Sequence, residues 1–284
     1  MDQSTPASVN GNPVHIRIWG HFGELIQGRL GSDGPIALVT LPCPALRTKV
    51  CFTPGGRLRT AGADAPFARD LAARLLETWA PGTGGLLEIE RPAAVGLGAG
   101  SSTAELLGVV RAIALHLGRS LTPEQEARLC HSMEGAVDPL MYDQTVLFAS
   151  RQPQVLETLP ALPPFQVIGG FAGPGQRTDP QDTAFPDVTA AVAQLRSGLI
   201  AGDLQQIADA ARTSAEANQV RNPNPAWDGV LRIGADTGAL GPVVSHTGSA
   251  IGLILPIDTP TTAVERALRA LKLASVMVFD PSGQ

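Results

Sequence analysis

The apolar positions of this chain fall into short strand-like runs and longer helical stripes. His15 to Trp19, Pro35 to Leu41, Leu46 to Thr53 and Leu86 to Glu90 are rich in Ile, Val, Leu or Thr and bounded by Gly or Pro, which predicts strands. Between them Phe67, Leu71, Leu75, Leu76 and Trp79 form a helical stripe over Ala65 to Ala80, closed by Pro81 and Gly82. Ser101 to Leu117 reads as a second helix, apolar nearly all round and therefore interior. Thr122, Pro123 and Gln125 make a TxxQ capping box that opens a third helix running to about Glu134.

Pro153 to Pro164 is proline-rich and aperiodic, and is expected to join a domain over 1–155 to a second over 156–284. Beyond it, Phe165 to Phe171, Val243 to Ser245, Ala250 to Leu255 and Ser275 to Phe279 read as strands. Asp187 to Ala201, Asp203 to Asn218, Trp227 to Ala239 and Thr261 to Leu273 read as helices. Strands and helices alternate without a regular βαβ count, so the expected class is a layered α+β architecture.

Composition narrows what such a fold does. With 284 residues, 44% of them hydrophobic, the chain buries a substantial core in one large or two modest domains. Acidic residues outnumber basic ones 26 to 21 and no Lys/Arg run stands out, which argues against a nucleic-acid partner. Met1 to Pro13 lacks the basic and apolar parts of a secretory signal, and the longest apolar stretch, Ala250 to Ile257, is far short of the ~18 residues of a membrane span. A cytoplasmic location without a membrane partner is expected. Cys43, Cys51 and Cys130 are odd in number and show no CxxC spacing, which reads as reduced thiols.

The only lysines are Lys49 and Lys272, and neither follows a glycine-rich loop. That excludes a Walker A site and the strand lysine of protein kinases. Phosphate binding must then use backbone N–H groups, a helix N-terminus, Arg or a metal. The segment that offers this is Gly96-Leu97-Gly98-Ala99-Gly100-Ser101-Ser102-Thr103, which runs straight into the second helix. Its glycines allow sharp turns and close approach to a ligand, and the helix start presents unpaired donors at the positive end of its dipole. The plainer alternative is a tight strand-to-helix turn capped by a serine.

With its SSTA ending, this segment resembles the ATP loop of the GHMP kinases, the family of galactokinase, homoserine kinase and mevalonate kinase. Gly23-Glu24-Leu25-Ile26-Gln27-Gly28 and Ser245-His246-Thr247-Gly248-Ser249-Ala250-Ile251-Gly252 stand where that family carries two further motifs, so the resemblance spans most of the chain. It implies a ribosomal S5 domain 2-like N-terminal domain, a ferredoxin-like C-terminal domain, and ATP with Mg²⁺. The wording GELIQG is similar to the L-threonine kinase branch, which makes O-phospho-L-threonine for the aminopropanol linker of cobalamin. The same scaffold admits other small alcohols such as 1-amino-2-propanol, homoserine or ethanolamine, and non-catalytic members. A hydrolase is disfavoured by the lack of a GxSxG elbow, and a dinucleotide-binding oxidoreductase by the lack of the final Rossmann glycine.

The resemblance also implies roles. In Met133-Glu134-Gly135-Ala136-Val137-Asp138, Asp138 takes the position of the base, with Asp143 of Asp143-Gln144 as runner-up. Ser102 and Glu134 are the expected Mg²⁺ ligands, ahead of Glu105 and Glu126. ATP is expected along Gly96 to Thr103, and the acceptor against His21, Glu24, Gln27, Thr247, Gly248 and Ser249. Glu24 suits the ammonium group of an amino acid, while the partner for its carboxylate is unassigned, Arg29 being the only nearby cation in a motif. The oligomeric state is not legible.

Overall fold

The computed structural model describes residues 11–92, 96–176 and 178–283; Met1 to Asn10, which carry most of the segment read as lacking a signal, lie outside them. Strands β1 (Val14–Arg29), β2 (Ile36–Pro54), β3 (Arg59–Gly62), β4 (Gly85–Glu90), β5 (Val146–Ala149) and β6 (Gln154–Thr158) belong to the first part of the chain, with helices α1 (Pro66–Trp79), α2 (Ser101–His116) and α3 (Pro123–Glu134). The rest runs β7 (Phe165–Phe171), α4 (Thr189–Ala201), α5 (Leu204–Gln219), α6 (Trp227–Thr237), β8 (Gly241–Val244), β9 (Ala250–Pro256), α7 (Thr262–Ala270) and β10 (Ala274–Phe279).

The later strands lie in the order β10-β7-β9-β8, the arrangement of a ferredoxin-like split βαβ unit. They join the first part through β8 and β1, whose paired residues are Val244 and Glu24. The expected α+β class is therefore present. One apolar cluster lies where α1 and α2 cover β1, β2 and β4; another fills the space between β1, β7 and helices α4 and α5.

Two departures from the sequence pattern position the site. The predicted strand His15 to Trp19 runs on through GELIQG, the second half of β1, where register with β2 shifts between Trp19 and Gly20, His21 and Glu24, and Glu24 and Ile26. Such irregularities re-aim side chains, and the residues from Gly20 to Gly28 are all buried. The two runs flanking Pro42 and Pro44 are a single strand, β2: Pro44 falls where the register skips from Arg47 to Cys43, and Pro42, opposite His21, stands beside the next shift. The proline-rich stretch after Pro153 contains β6, paired to β5.

The capping box at Thr122 and Gln125 is formed, and α3 ends on Gly135 in the left-handed region. The three cysteines are free thiols. Among the described residues no helix is long and apolar enough to cross a membrane.

Candidate active site

Helix α2 begins at Gly100, φ 63°, and no side chain caps it. Its first-turn donors are thus left for a ligand, in contrast to the serine-capped turn. Gly100, Ser101, Ser102 and Thr103 border a cavity of about 320 Å³. The loop before them is held by both other motifs. Gly98 and Ala99 carbonyls accept from Gly23 and His21 N–H groups at 3.4 and 3.3 Å, and the Leu97 carbonyl accepts from Ser249 and Ala250, each at 3.1 Å. Gly98 has φ 81°, and a Cβ there would lie 2.2 Å from Ser245 Cβ, so glycine is required by packing as well as by any phosphate.

Three acidic positions converge on this cavity from different elements. Glu134, at the end of α3, accepts a hydrogen bond from Ser102. Asp138 lies four residues on, in the segment after α3. The Thr103 hydroxyl donates to Asp138 Oδ2 at 3.2 Å and accepts the Asp138 N–H at 3.2 Å. His21, from the irregular part of β1, places Nε2 3.3 Å from Asp138 Oδ2. Burial resists charge on the His21 ring, but Asp138 and Glu24 outweigh it and raise its pKa to about 9. Burial likewise opposes ionisation of Asp138, while His21 and Thr103 hold its carboxyl below the usual range.

Of the expected acceptor residues, His21, Glu24, Gln27 and Thr247 line the cavity. Glu24 Oε2 accepts from the His246 N–H at 3.0 Å and from its Nδ1 at 3.1 Å, while Oε1 lies 3.7 Å from His21 Nδ1. The acceptor left open at that wall is Gln27 Oε1, which is buried and has no hydrogen-bond partner. Gly248 and Ser249 stand behind the loop and brace it: a Cβ on Gly248 would lie 2.3 Å from Gly98 N. Leu97 also faces away from the cavity, against the core.

Asp143 is not brought to this cavity. It is exposed and lines a second one, of about 560 Å³, beside Trp19, Arg111 and Tyr142. Glu105 pairs with Arg91 at 2.5 Å and Glu126 takes a bidentate hold on Arg111 at 2.8 Å, which engages both in the frame. Arg29 donates to the Gly34 and Thr183 carbonyls.

Residues not foreseen from the sequence also line the cavity or stand behind it. Arg151 follows β5 and reaches the cavity, as do Gln176 and Thr178 from the segment after β7. Ser214 of α5 sits behind Glu24, its hydroxyl 2.8 Å from His246 Nε2. A fully buried serine among the alanines of α5 was the one local signal available.

Residues 67–146 match the family model described as the GHMP kinases N terminal domain. The chain is 27% identical over 247 residues to a Citrobacter freundii protein named L-threonine kinase, covering 82% of this chain and 83% of the relative. A protein of the same name from Salmonella typhimurium is 28% identical over 247 residues, with 82% and 80% covered. Among solved structures, a homoserine kinase from Cytophaga hutchinsonii superposes with TM-score 0.66 at 20% identity over 94% of this chain and 93% of that one. The L. major mevalonate kinase bound to R-mevalonate gives 0.72 at 14% identity over 98% of both. These structural likenesses establish a common fold.

Proposed function

We propose that the chain is a small-molecule kinase of the GHMP type that uses ATP to phosphorylate the side-chain hydroxyl of L-threonine, giving O-phospho-L-threonine. The observation that carries a kinase reading is the meeting, at one cavity, of an uncapped helix N-terminus, the Ser102–Glu134 pair and the braced carboxylate of Asp138. The choice of threonine rests on the two relatives that bear that name.

The triphosphate lies against the first turn of α2, whose N–H groups and dipole offset its charge in the absence of a usable lysine. Ser102 and Glu134 fit a magnesium ion: two adjacent oxygen ligands at the phosphate end, with the remaining positions left to nucleotide and water. When bound, Mg²⁺ neutralises phosphate charge.

Asp138 accepts the proton of the acceptor hydroxyl as its oxygen bonds the γ-phosphorus. The bond from that phosphorus to the β–γ bridging oxygen breaks, and ADP leaves with the electron pair. A free amino acid also presents an ammonium and a carboxylate. Gln27 Oε1 and the negative wall at Glu24 suit the first, and Arg151 supplies positive charge for the second. The product would serve the aminopropanol linker of cobalamin.

The test is ³¹P NMR of a reaction containing the purified protein, ATP, Mg²⁺ and L-threonine. A phosphomonoester co-resonating with added O-phospho-L-threonine is expected, and ATP left intact would refute the proposal.

A further inference from the structure

His21 is 2% exposed; its Nδ1 is hydrogen-bonded to an oxygen acceptor, and its Nε2, which makes no hydrogen bond, is in ion-pair contact with a carboxylate. Nδ1 lies 3.2 Å from the Gly23 carbonyl oxygen and Nε2 lies 3.3 Å from Asp138 Oδ2. A neutral imidazole carries one bare lone pair, which here would point at a carbonyl or a carboxylate; an imidazolium presents a proton to each. A second carboxylate, Glu24, stands on the Nδ1 side with Oε1 at 3.7 Å.

Glu24 is itself anchored from behind. His246 donates to it through Nδ1 and the backbone, the Ser214 hydroxyl donates to His246 Nε2 at 2.8 Å, and Ser214 Oγ accepts the Gln27 N–H at 3.1 Å. His246 and Ser214 are fully buried, so this chain exchanges nothing with solvent.

We propose that His21 is a positioning residue for Asp138, an imidazolium wedged between the Asp138 and Glu24 carboxylates, with His246 and Ser214 fixing Glu24 from α5. It rests on the reading of Asp138 as the base. Both His21 Nε2 and Thr103 Oγ1 address Oδ2 of Asp138. That leaves Oδ1 as the oxygen that receives the acceptor proton, and it sets the face the carboxylate presents to the cavity.

The titratable groups described around His21 are these. From the segment after α3 there is Asp138, from β1 Glu24, and from the third motif His246 beyond Glu24. Arg151 acts on Asp138 from the end of β5. The start of α2 contributes uncharged Gly100, where a Cβ would lie 2.6 Å from the His21 ring. Loss of the ring proton at high pH turns a lone pair toward Asp138 or Gly23 and releases the carboxylate.

The experiment has two arms. The first is ¹⁵N NMR of the imidazoles in the wild-type protein without substrate, assigned by His21→Gln. Both His21 nitrogens are expected to be protonated at pH 7.5, and a neutral-tautomer signature there would overturn the proposal. The second is the pH profile of turnover for His21→Gln. Its kcat should fall roughly 10²-fold, the scale of a ~1 Å misplacement, with KM for ATP unchanged and the alkaline limb near pH 9 abolished. A profile superposable on that of the wild type would also overturn it. If no alcohol is turned over at all, the base reading of Asp138 falls, while the spectrum still decides the state of His21. If His21→Gln does not fold, spectra of Thr103→Ser and wild type across pH give the assignment and the same decision.

Discussion

The Thr103 side chain and Asp138 hold each other reciprocally, the hydroxyl donating to Oδ2 and accepting the backbone N–H at 3.2 Å each. Thr103 belongs to the first turn of α2, the turn whose free N–H groups border the cavity. One helix start therefore fixes both the phosphate end of the site and the carboxylate opposite, and the distance between them does not depend on a flexible loop.

Replacing Asp138 by Asn keeps the shape and removes the proposed base. The expected fall in kcat is roughly 10²–10⁴-fold, the usual worth of general-base catalysis, with ATP affinity little changed. Asp143→Asn, in the other cavity, should leave turnover near that of the wild type. Steady-state kinetics of the two variants decide it; a dead Asp143→Asn beside an active Asp138→Asn would reverse the assignment.

Glu134→Gln retains a hydrogen-bond acceptor for Ser102 but loses the charge. The Mg²⁺ concentration for half-maximal rate should rise, with near-normal rates restored at saturating metal. A Mg²⁺ titration that overlays that of the wild type would remove Glu134 from the metal site.

Gly98→Val tests fold and nucleotide site together. The left-handed φ alone costs about 1–3 kcal/mol, and the new Cβ collides with Ser245. The expected outcome is a lower Tm before any ligand is added. An unchanged Tm with lost ATP binding would show that the loop yields and that the glycine serves only the phosphate.

The His21–Asp138 pair makes stability pH-dependent with opposite signs on its two sides. His21 has its pKa raised on folding from 6.5 to about 9, so its contribution is fully present below pH 6.5 and is lost as pH rises through about 9. Asp138 has its pKa lowered, so its contribution is present above the ordinary carboxylate range and is lost as pH falls through the depressed value. In thermal melts, the Tm gap between wild type and His21→Gln should narrow as pH is raised from 6.5 to about 9. A gap constant with pH would contradict the linkage.

Most helices were legible because their signals are local: the stripe of α1, the all-round apolar α2 and the capping box of α3 each lie within a few turns. The continuation of β1 through GELIQG is not legible, because a glycine that permits close packing looks the same in sequence as one that makes a turn. Gly28 sits in a strand where a Cβ would meet Val188 at 2.4 Å. That the loop, Ser102, Glu134 and Asp138 meet at one cavity agrees with the order of the motifs. Arg151, Thr178 and Ser214 were not, since their roles arise from tertiary approach; Ser214 and Gln27 meet across 187 residues.

The most direct measurement is kcat/KM at fixed ATP and Mg²⁺ for L-threonine, L-serine, L-homoserine, 1-amino-2-propanol, ethanolamine, mevalonate and galactose. A pocket that pairs both charges of an amino acid should favour L-threonine and discriminate strongly against amino alcohols, which leave its cationic wall unpaired. Preference for L-threonine over every other alcohol is the predicted result. Higher kcat/KM for 1-amino-2-propanol or L-homoserine would overturn the substrate assignment, and no turnover of any alcohol would contradict the kinase account itself.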